Sequence, residues 1–132
     1  MRDSGIYFLL IRLKNPIEIS LMGKTAKFPR GFYVYTGSAQ KNLTHRIERH
    51  RRKNKKLHWH IDFLLEKADV IDVKIIYGAS RYDETIFAEK WAALSDFIPM
   101  KKFGATDSKA KTHLVGFITK KKILQSHLWI NN

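Results

Sequence analysis

The sequence contains no cysteine. That excludes a disulfide scaffold, a thiol nucleophile and a zinc ribbon. Acidic side chains are scarce: 12 Asp+Glu stand against 25 Lys+Arg, a formal net charge of +13. Long apolar runs are missing as well. The stretch at residues 6–11 is typical, far short of the roughly 20 residues a spanning helix needs, so no membrane span is expected. The opening Met1-Arg2-Asp3-Ser4 lacks a signal-peptide pattern, and the expected location is cytoplasmic. Neither an internal repeat nor a linker interrupts the chain, so its 132 residues read as a single domain over 1–132.

What is present begins with a core. Hydrophobic residues make up 44% and aromatics 12%, which rules out a disordered basic tail. The surplus of positive charge calls for a polyanion: nucleic acid first, an anionic membrane surface second. Residues 5–13 form an apolar, β-rich run that stops at Asn15-Pro16, and residues 17–21 alternate apolar and polar. Lys27-Phe28 adds a short strand, and residues 31–36 form another, so the first 37 residues predict one antiparallel sheet of three or four strands. A helix is expected from Asn42, its N-cap, to about Asn54, and a second over 57–67. A strand follows at 70–77. Asp83 is expected to cap a third helix running to about Phe97. The chain should close with a basic loop at 101–111, a strand at 112–119 and one short helix at 120–129. Strands and helices in this order predict an α+β fold, a small, mostly antiparallel sheet flanked by helices.

Residues 41–56 concentrate the charge. Lys41, Arg46, Arg49, Arg51, Arg52, Lys53, Lys55 and Lys56 face one acid, Glu48, which places a net +7 of the +13 in one segment. Solvated helix faces usually interleave both signs; phosphates would neutralise this one and release counterions. At about 100° per residue, with Leu43 at zero, Ile47 falls at about 40°, His50 at about 340° and Arg46 at about 300°. Arg46 and His50 thus flank the apolar stripe, and Arg49 points elsewhere. Either they snorkel or pair with a core-edge carboxylate, or they aim into a groove. On the third helix, with Phe87 at zero, Glu84 falls at about 60°, beside the stripe, and Glu89 at about 200°, toward solvent. Glu84 either complements the helix dipole or enters the fold.

Gly5-Ile6-Tyr7 and Tyr35-Thr36-Gly37, followed by Gly37-Ser38-Ala39, Arg46 and His50 and later by Glu84, resemble the GIY-YIG nuclease superfamily. Phe28-Pro29-Arg30-Gly31, His58-Trp59-His60-Ile61-Asp62, Phe103-Gly104, Asp107 and Thr112-His113-Leu114 are similar to a small stand-alone subgroup of uncharacterised function. The resemblance covers roughly residues 5–117 and implies catalytic roles for Tyr7, Tyr35, Arg46, His50 and Glu84. It also implies one Mg²⁺ or Mn²⁺ ion held by Glu84, and DNA, or RNA, as the partner. Lys41, Arg49, Arg51, Arg52, Lys53, Lys55, Lys56, His58, Lys109 and Lys111 are the candidate nucleic-acid contacts. Departures from the pattern are the wide separation of Tyr7 and Tyr35, 28 positions apart with an extra hairpin at 16–28, and Ser38 where many active members are basic. The subgroup often has cysteines in the segments around Glu84 and Asp107; Thr85, Ser108, Ala110 and Thr112 occupy that neighbourhood here. The function so implied is a metal-dependent endonuclease. The alternative is a binding module that cuts poorly or not at all, and a third reading gives the basic helix a membrane or protein partner. His58, His60 and Asp62 also raise a zinc site, against packing or phosphate contact by the two histidines. Asp107 and His113 are candidates to line the same groove. Oligomeric state is open.

Overall fold

Gly5–Leu13 (β1) is buried at every position but Arg12. A strand covered on one face alternates; a nearly continuous apolar run marks one covered on both. β1 accordingly sits inside a sheet. It pairs antiparallel with Gly31–Ala39 (β4) on one side and Asp69–Tyr77 (β5) on the other. Leu114–Phe117 (β6) joins the far side of β4, giving the order β5-β1-β4-β6. The computed structural model describes residues 3–106 and 108–130, apart from the side chains of Arg81 and Tyr82. Asp107, one of the groove candidates, lies outside the described residues.

Two helical layers cover the sheet. Tyr7, Leu9, Ile11 and Leu13 pack with Leu43 and Ile47 of Leu43–Arg51 (α1) and with Ile61, Leu64 and Leu65 of His60–Leu65 (α2). Ile6, Phe8 and Leu10 pack on the opposite face. They meet Trp91 of Arg81–Leu94 (α3), Ile123 of Lys120–Leu124 (α4), and Leu128 and Trp129 of His127–Ile130 (α5). The result is an α+β fold with a mostly antiparallel central sheet, as the element order predicts. Among the described residues no helix is long and apolar enough to cross a membrane.

Several local expectations are corrected. The hairpin does not extend the main sheet: Ile17–Leu21 (β2) and Lys24–Phe28 (β3) form a separate two-stranded sheet. Its Ile19 and Phe28 instead join the α1/α2 side of the core. Asn42 is the N-cap residue but contributes no side-chain cap; it is left-handed, at φ 56°. The cap is imported from the N-terminal segment. The Asp3 carboxylate accepts from the Thr44 N–H at 3.1 Å and from the Thr44 hydroxyl at 2.8 Å. Helix α1 stops at Arg51, short of Asn54, because Arg52 is already extended. In α3 the cap is Ser80, with Asp83 three residues inside closing a capping box. That helix ends at Leu94; Phe97 has left it to bridge Gly116 at the outer side of β6. The last strand starts at Leu114 rather than 112, since Thr112 turns its hydroxyl onto backbone carbonyls of Met100 and Leu114. The C-terminal stretch holds two short helices instead of one.

Candidate functional site

Tyr7 and Tyr35 come from neighbouring strands and share a face. In the β1–β4 ladder Tyr7 stands opposite Gly37 and Leu9 opposite Tyr35, so the tyrosines are diagonal neighbours. Gly37 is required by this arrangement: a Cβ there would run into the Tyr7 ring, 2.5 Å from its hydroxyl. Both tyrosines line a cleft of about 440 Å³ with Ser38, Lys41, Arg46, Trp59, Glu84, Gly104 and His113.

The buried stripe of α1 is realised, but Arg49 does not point elsewhere: it lies over the same Trp59 ring as Arg46. Leu43, Ile47 and His50 are its buried residues. His50 reaches Tyr7, with Nε2 2.8 Å from the phenol oxygen, while its Nδ1 is buried without a hydrogen-bond partner among the described residues. Burial drives the electrostatics of both. It lifts the Tyr7 hydroxyl well above the usual phenol range, and Tyr35 adds to the rise; Arg46, by charge and hydrogen bond, pulls the other way. Burial, then the Lys55 charge, pushes His50 down to about 3. The pair is therefore a neutral phenol against a neutral imidazole at physiological pH.

Arg46 stands at the cleft wall. Its Nη1 donates to the Ser38 carbonyl at 2.5 Å, and its guanidinium lies 4.9 Å from the centre of the Trp59 ring. Glu84 enters from the first turn of α3 with a carboxylate only 14% exposed, 4.0 Å from His113 Nδ1. The His113 backbone in turn accepts from the Thr36 N–H and donates to the Phe103 carbonyl. Glu89 does not simply face solvent, as its wheel angle implies: its Oε1 accepts the Lys111 N–H at 2.8 Å and ties the basic loop to α3.

Sequence reasoning assigned no role to Trp59 and left Asp62 as a weak zinc ligand. Asp62 is fully buried. Both of its oxygens take the Arg49 guanidinium, at 2.9 and 3.0 Å, and Oδ2 also accepts the backbone N–H groups of His58 and Trp59. Burial pushes the carboxyl up, yet these hydrogen bonds outweigh it and hold Asp62 below its usual value. Arg49 then lies 4.5 Å from the centre of the Trp59 ring. One carboxylate thus fixes the indole's backbone and one of the two guanidinium groups on its ring, the other being Arg46. Arg46 and Arg49 are three apart on α1, so both can reach one aromatic, but nothing local to α1 points to Trp59 as that aromatic. His60 is also engaged, its Nδ1 accepting the Gly104 N–H at 2.9 Å.

The basic residues divide. Arg49 is spent on Asp62. Lys53 donates to the Leu65 carbonyl at 2.8 Å and to the Ala68 carbonyl, and pairs with Asp69 at 3.1 Å. Lys55 donates to the Arg49 and His50 carbonyls, its side chain only 5% exposed. Lys53 is exposed despite these contacts, its side chain at 52%; Lys41, Arg51, Arg52, Lys56, His58, Lys109 and Lys111 are exposed too, and of these Lys41 lines the cleft. Neither a curated protein nor a solved structure matches the chain. The match that does exist spans nearly all of it: over residues 6–130 the sequence fits one family, and the chain belongs to that family, described as domain of unknown function DUF123.

Proposed function

We propose that the cleft hydrolyses phosphodiester bonds of DNA, with the GIY-YIG resemblance supplying the reaction class. One observation carries the reading: Tyr7, Tyr35, Arg46 and Glu84, drawn from two strands and two helices, line a single cleft. Pure binding requires positive charge but no inward carboxylate. In this reading Arg46 meets a non-bridging phosphate oxygen and stabilises the charge that grows there during attack. Tyr7 accepts the proton of the attacking water as its own proton passes to His50 Nε2. Because burial disfavours both phenolate and imidazolium, this transfer has to be coupled to the arrival of the phosphate's negative charge beside Arg46. Tyr35, packed edge-on at 6.2 Å from the His50 ring, keeps the imidazole in line.

The donor set fits a single hard cation. Among the described residues no group of three or more His, Asp or Glu side chains could hold a metal. Glu84 would therefore hold one Mg²⁺ or Mn²⁺ ion with water completing the shell, the mode Mg²⁺ favours. Bound there, the ion would supply Lewis-acid stabilisation of the leaving oxygen. The exposed Lys41, Arg51, Arg52 and Lys56 grip the flanking backbone.

A second reading, a module that binds but does not cut, is favoured by the short Arg46–Ser38 contact, which already occupies one guanidinium nitrogen. One experiment separates the two. Supercoiled plasmid and branched or single-stranded DNA are incubated with the protein, with and without Mg²⁺ or Mn²⁺, beside Glu84→Ala and Arg46→Ala. The nuclease reading expects metal-dependent nicking by the wild type and a loss of about 100-fold or more in each variant. Retarded mobility without cleavage on any substrate establishes the binding module instead. Equal cleavage by wild type and Glu84→Ala sinks the proposed site.

A further inference from the structure

The sheet has two edges, and they are treated differently. β6 is four residues long, and Phe97 bridges its outer side. β5 is nine residues long and ends the sheet. Its inner side pairs with β1 from Gly5↔Tyr77 to Leu10↔Asp72 and, past a bulge at Ile71, from Ile11↔Val70 to Arg12↔Asp69, so the regular edge runs from Asp72 to Tyr77. On its outer side the Val73 N–H is taken by the carboxylate of its own neighbour, Asp72, at 2.8 Å. Alternate residues of an antiparallel strand turn N–H and C=O to the same side. Val73, Ile75 and Tyr77 therefore present theirs outward, and among the described residues no other element hydrogen-bonds to them there. Ile71 and Tyr77 are 40% and 48% exposed along this edge. A long strand edge with exposed apolar side chains is a template for another strand.

The sequence of β5 says which strand. Around Val73 it reads Val70-Ile71-Asp72-Val73-Lys74-Ile75-Ile76, with opposite charges on either side of the centre and apolar residues beyond. We propose that the outer edge of β5 docks a second copy of this chain, antiparallel, about a two-fold axis at Val73. Each Val73 then exchanges N–H and C=O with the partner's Val73. Asp72 lies opposite the partner's Lys74, and Lys74 opposite the partner's Asp72. Asp72 and Lys74 pair with Leu10 and Phe8 of β1, whose side chains share the α3 face, so the charges share that face too. They occupy the non-hydrogen-bonded positions of the new ladder, where side chains come closest. The Asp72 carboxylate, displaced from the Val73 N–H by the partner's carbonyl, is released to make this pair.

Charge also rejects the neighbouring registers. Centring on Lys74 sets two ammonium groups opposite each other, and centring on Asp72 sets two carboxylates, both destabilising. Centring on Ile75 keeps the hydrogen-bond parity but leaves Lys74 against Ile76. Only the Val73 centre satisfies both backbone and charge. Against association stands the +13 of each chain, screened over roughly 8 Å at physiological ionic strength. A single strand pair is also small for an interface. The dimer is accordingly weak, micromolar, and loosens at low salt. The inference is independent of the chemistry in the cleft.

Sedimentation equilibrium over a concentration series at physiological salt tests it. The wild type should pass from monomer to dimer. Asp72→Lys and Lys74→Asp, each setting like charges opposite one another twice, should each weaken the dimer by about tenfold or more. The double variant Asp72→Lys, Lys74→Asp restores both pairs with reversed sign and should return close to the wild type. Circular dichroism verifies that each variant is folded. A wild type that stays monomeric up to about 1 mM, well above the weak range of strand-sized interfaces, overturns the proposal. So do single variants that dimerise normally, or a double variant that associates no better than the singles.

Discussion

The two faces of β1 are built from alternate residues of one strand, yet they are filled differently. Ile6, Phe8 and Leu10 meet an apolar layer in which Trp91 packs edge-on against Phe8 at 5.4 Å and Phe117 at 5.9 Å. Tyr7, Leu9 and Ile11 meet a layer that buries His50 and Asp62 among its aliphatic residues. A buried polar group costs stability unless it is hydrogen-bonded. Each layer carries that cost at one atom, Trp91 Nε1 in the first and His50 Nδ1 in the second, neither with a hydrogen-bond partner among the described residues; the second also buries the Asp62 carboxylate and offsets it with four hydrogen bonds. The α3 face is chiefly packing, whereas the α1/α2 face also positions Tyr7, Tyr35 and Arg46 of the cleft, which Glu84 reaches from the first turn of α3.

The largest expected effects come from one substitution on each face. Trp91→Ala should cost about 3–5 kcal/mol through lost transfer energy and the cavity left behind. Asp62→Ala should cost a similar amount, about 3–5 kcal/mol, because Arg49 is left without its partner. Urea unfolding measures both. They part in what happens to the cleft. Trp91→Ala should leave the Arg46 Nε–H and Trp59 indole resonances in place in a ¹⁵N-correlated spectrum. Asp62→Ala should move both, because the carboxylate holds Arg49 and the Trp59 backbone, and the indole holds Arg46. Unmoved cleft resonances in Asp62→Ala would break the link from Asp62 through Trp59 to Arg46.

An intermediate effect distinguishes two polar groups within the site-bearing face. His50 is held neutral, its folded value near 3 against an ordinary value of 6.5. The unfolded chain therefore binds the extra proton first. Stability is intact above about pH 6.5 and falls as pH drops toward 3, by roughly 5 kcal/mol in total. Asp62 has a lowered folded value, so its contribution is present above the ordinary carboxyl value of 3.8 and is lost only below it. Thermal unfolding against pH should thus show a loss between pH 6.5 and 4 that shrinks in His50→Gln, the remainder belonging to His60, which burial also lowers. If the slope in that window is unchanged by the substitution, burial of a neutral His50 is not its source.

What the sequence revealed and concealed follows the same division. β1, β4, the buried stripe of α1 and the inward Glu84 were legible because each depends on periodicity within one element. The Arg46–Trp59–Arg49–Asp62 chain was not, because Arg49 and Asp62 are 13 residues apart and belong to different helices. The Asp3 cap on Thr44 lies 41 residues from its helix, beyond any local capping rule, so Asn42 drew the assignment instead. The separate β2–β3 sheet was hidden for a related reason. Alternation identifies a strand but does not say which strand it joins.

The smallest expected effect bears on how the dense charge of residues 41–56 is used. Read as sequence, seven of the eight cations, all but Arg46, are candidates for phosphate contact along the flanking backbone. In the fold Arg49, Lys53 and Lys55 bind carbonyls and carboxylates of the chain itself, whereas Arg51, Arg52 and Lys56 are exposed without such contacts among the described residues. Each phosphate neutralised contributes about 0.9 to the slope of log affinity against log salt on duplex DNA. Arg51→Gln or Arg52→Gln should therefore flatten that slope by up to about 1 and leave the unfolding midpoint within about 0.5 kcal/mol of wild type. Lys53→Gln should do the opposite, lowering stability slightly while leaving the slope unchanged, because its charge is already committed to the turn between α2 and β5. Fluorescence anisotropy on one duplex across a salt series reads the slopes. Equal flattening by Lys53→Gln and Arg51→Gln would mean that the internal contacts of Lys53 yield to phosphate, and the division of the basic residues into structural and open sets would fail.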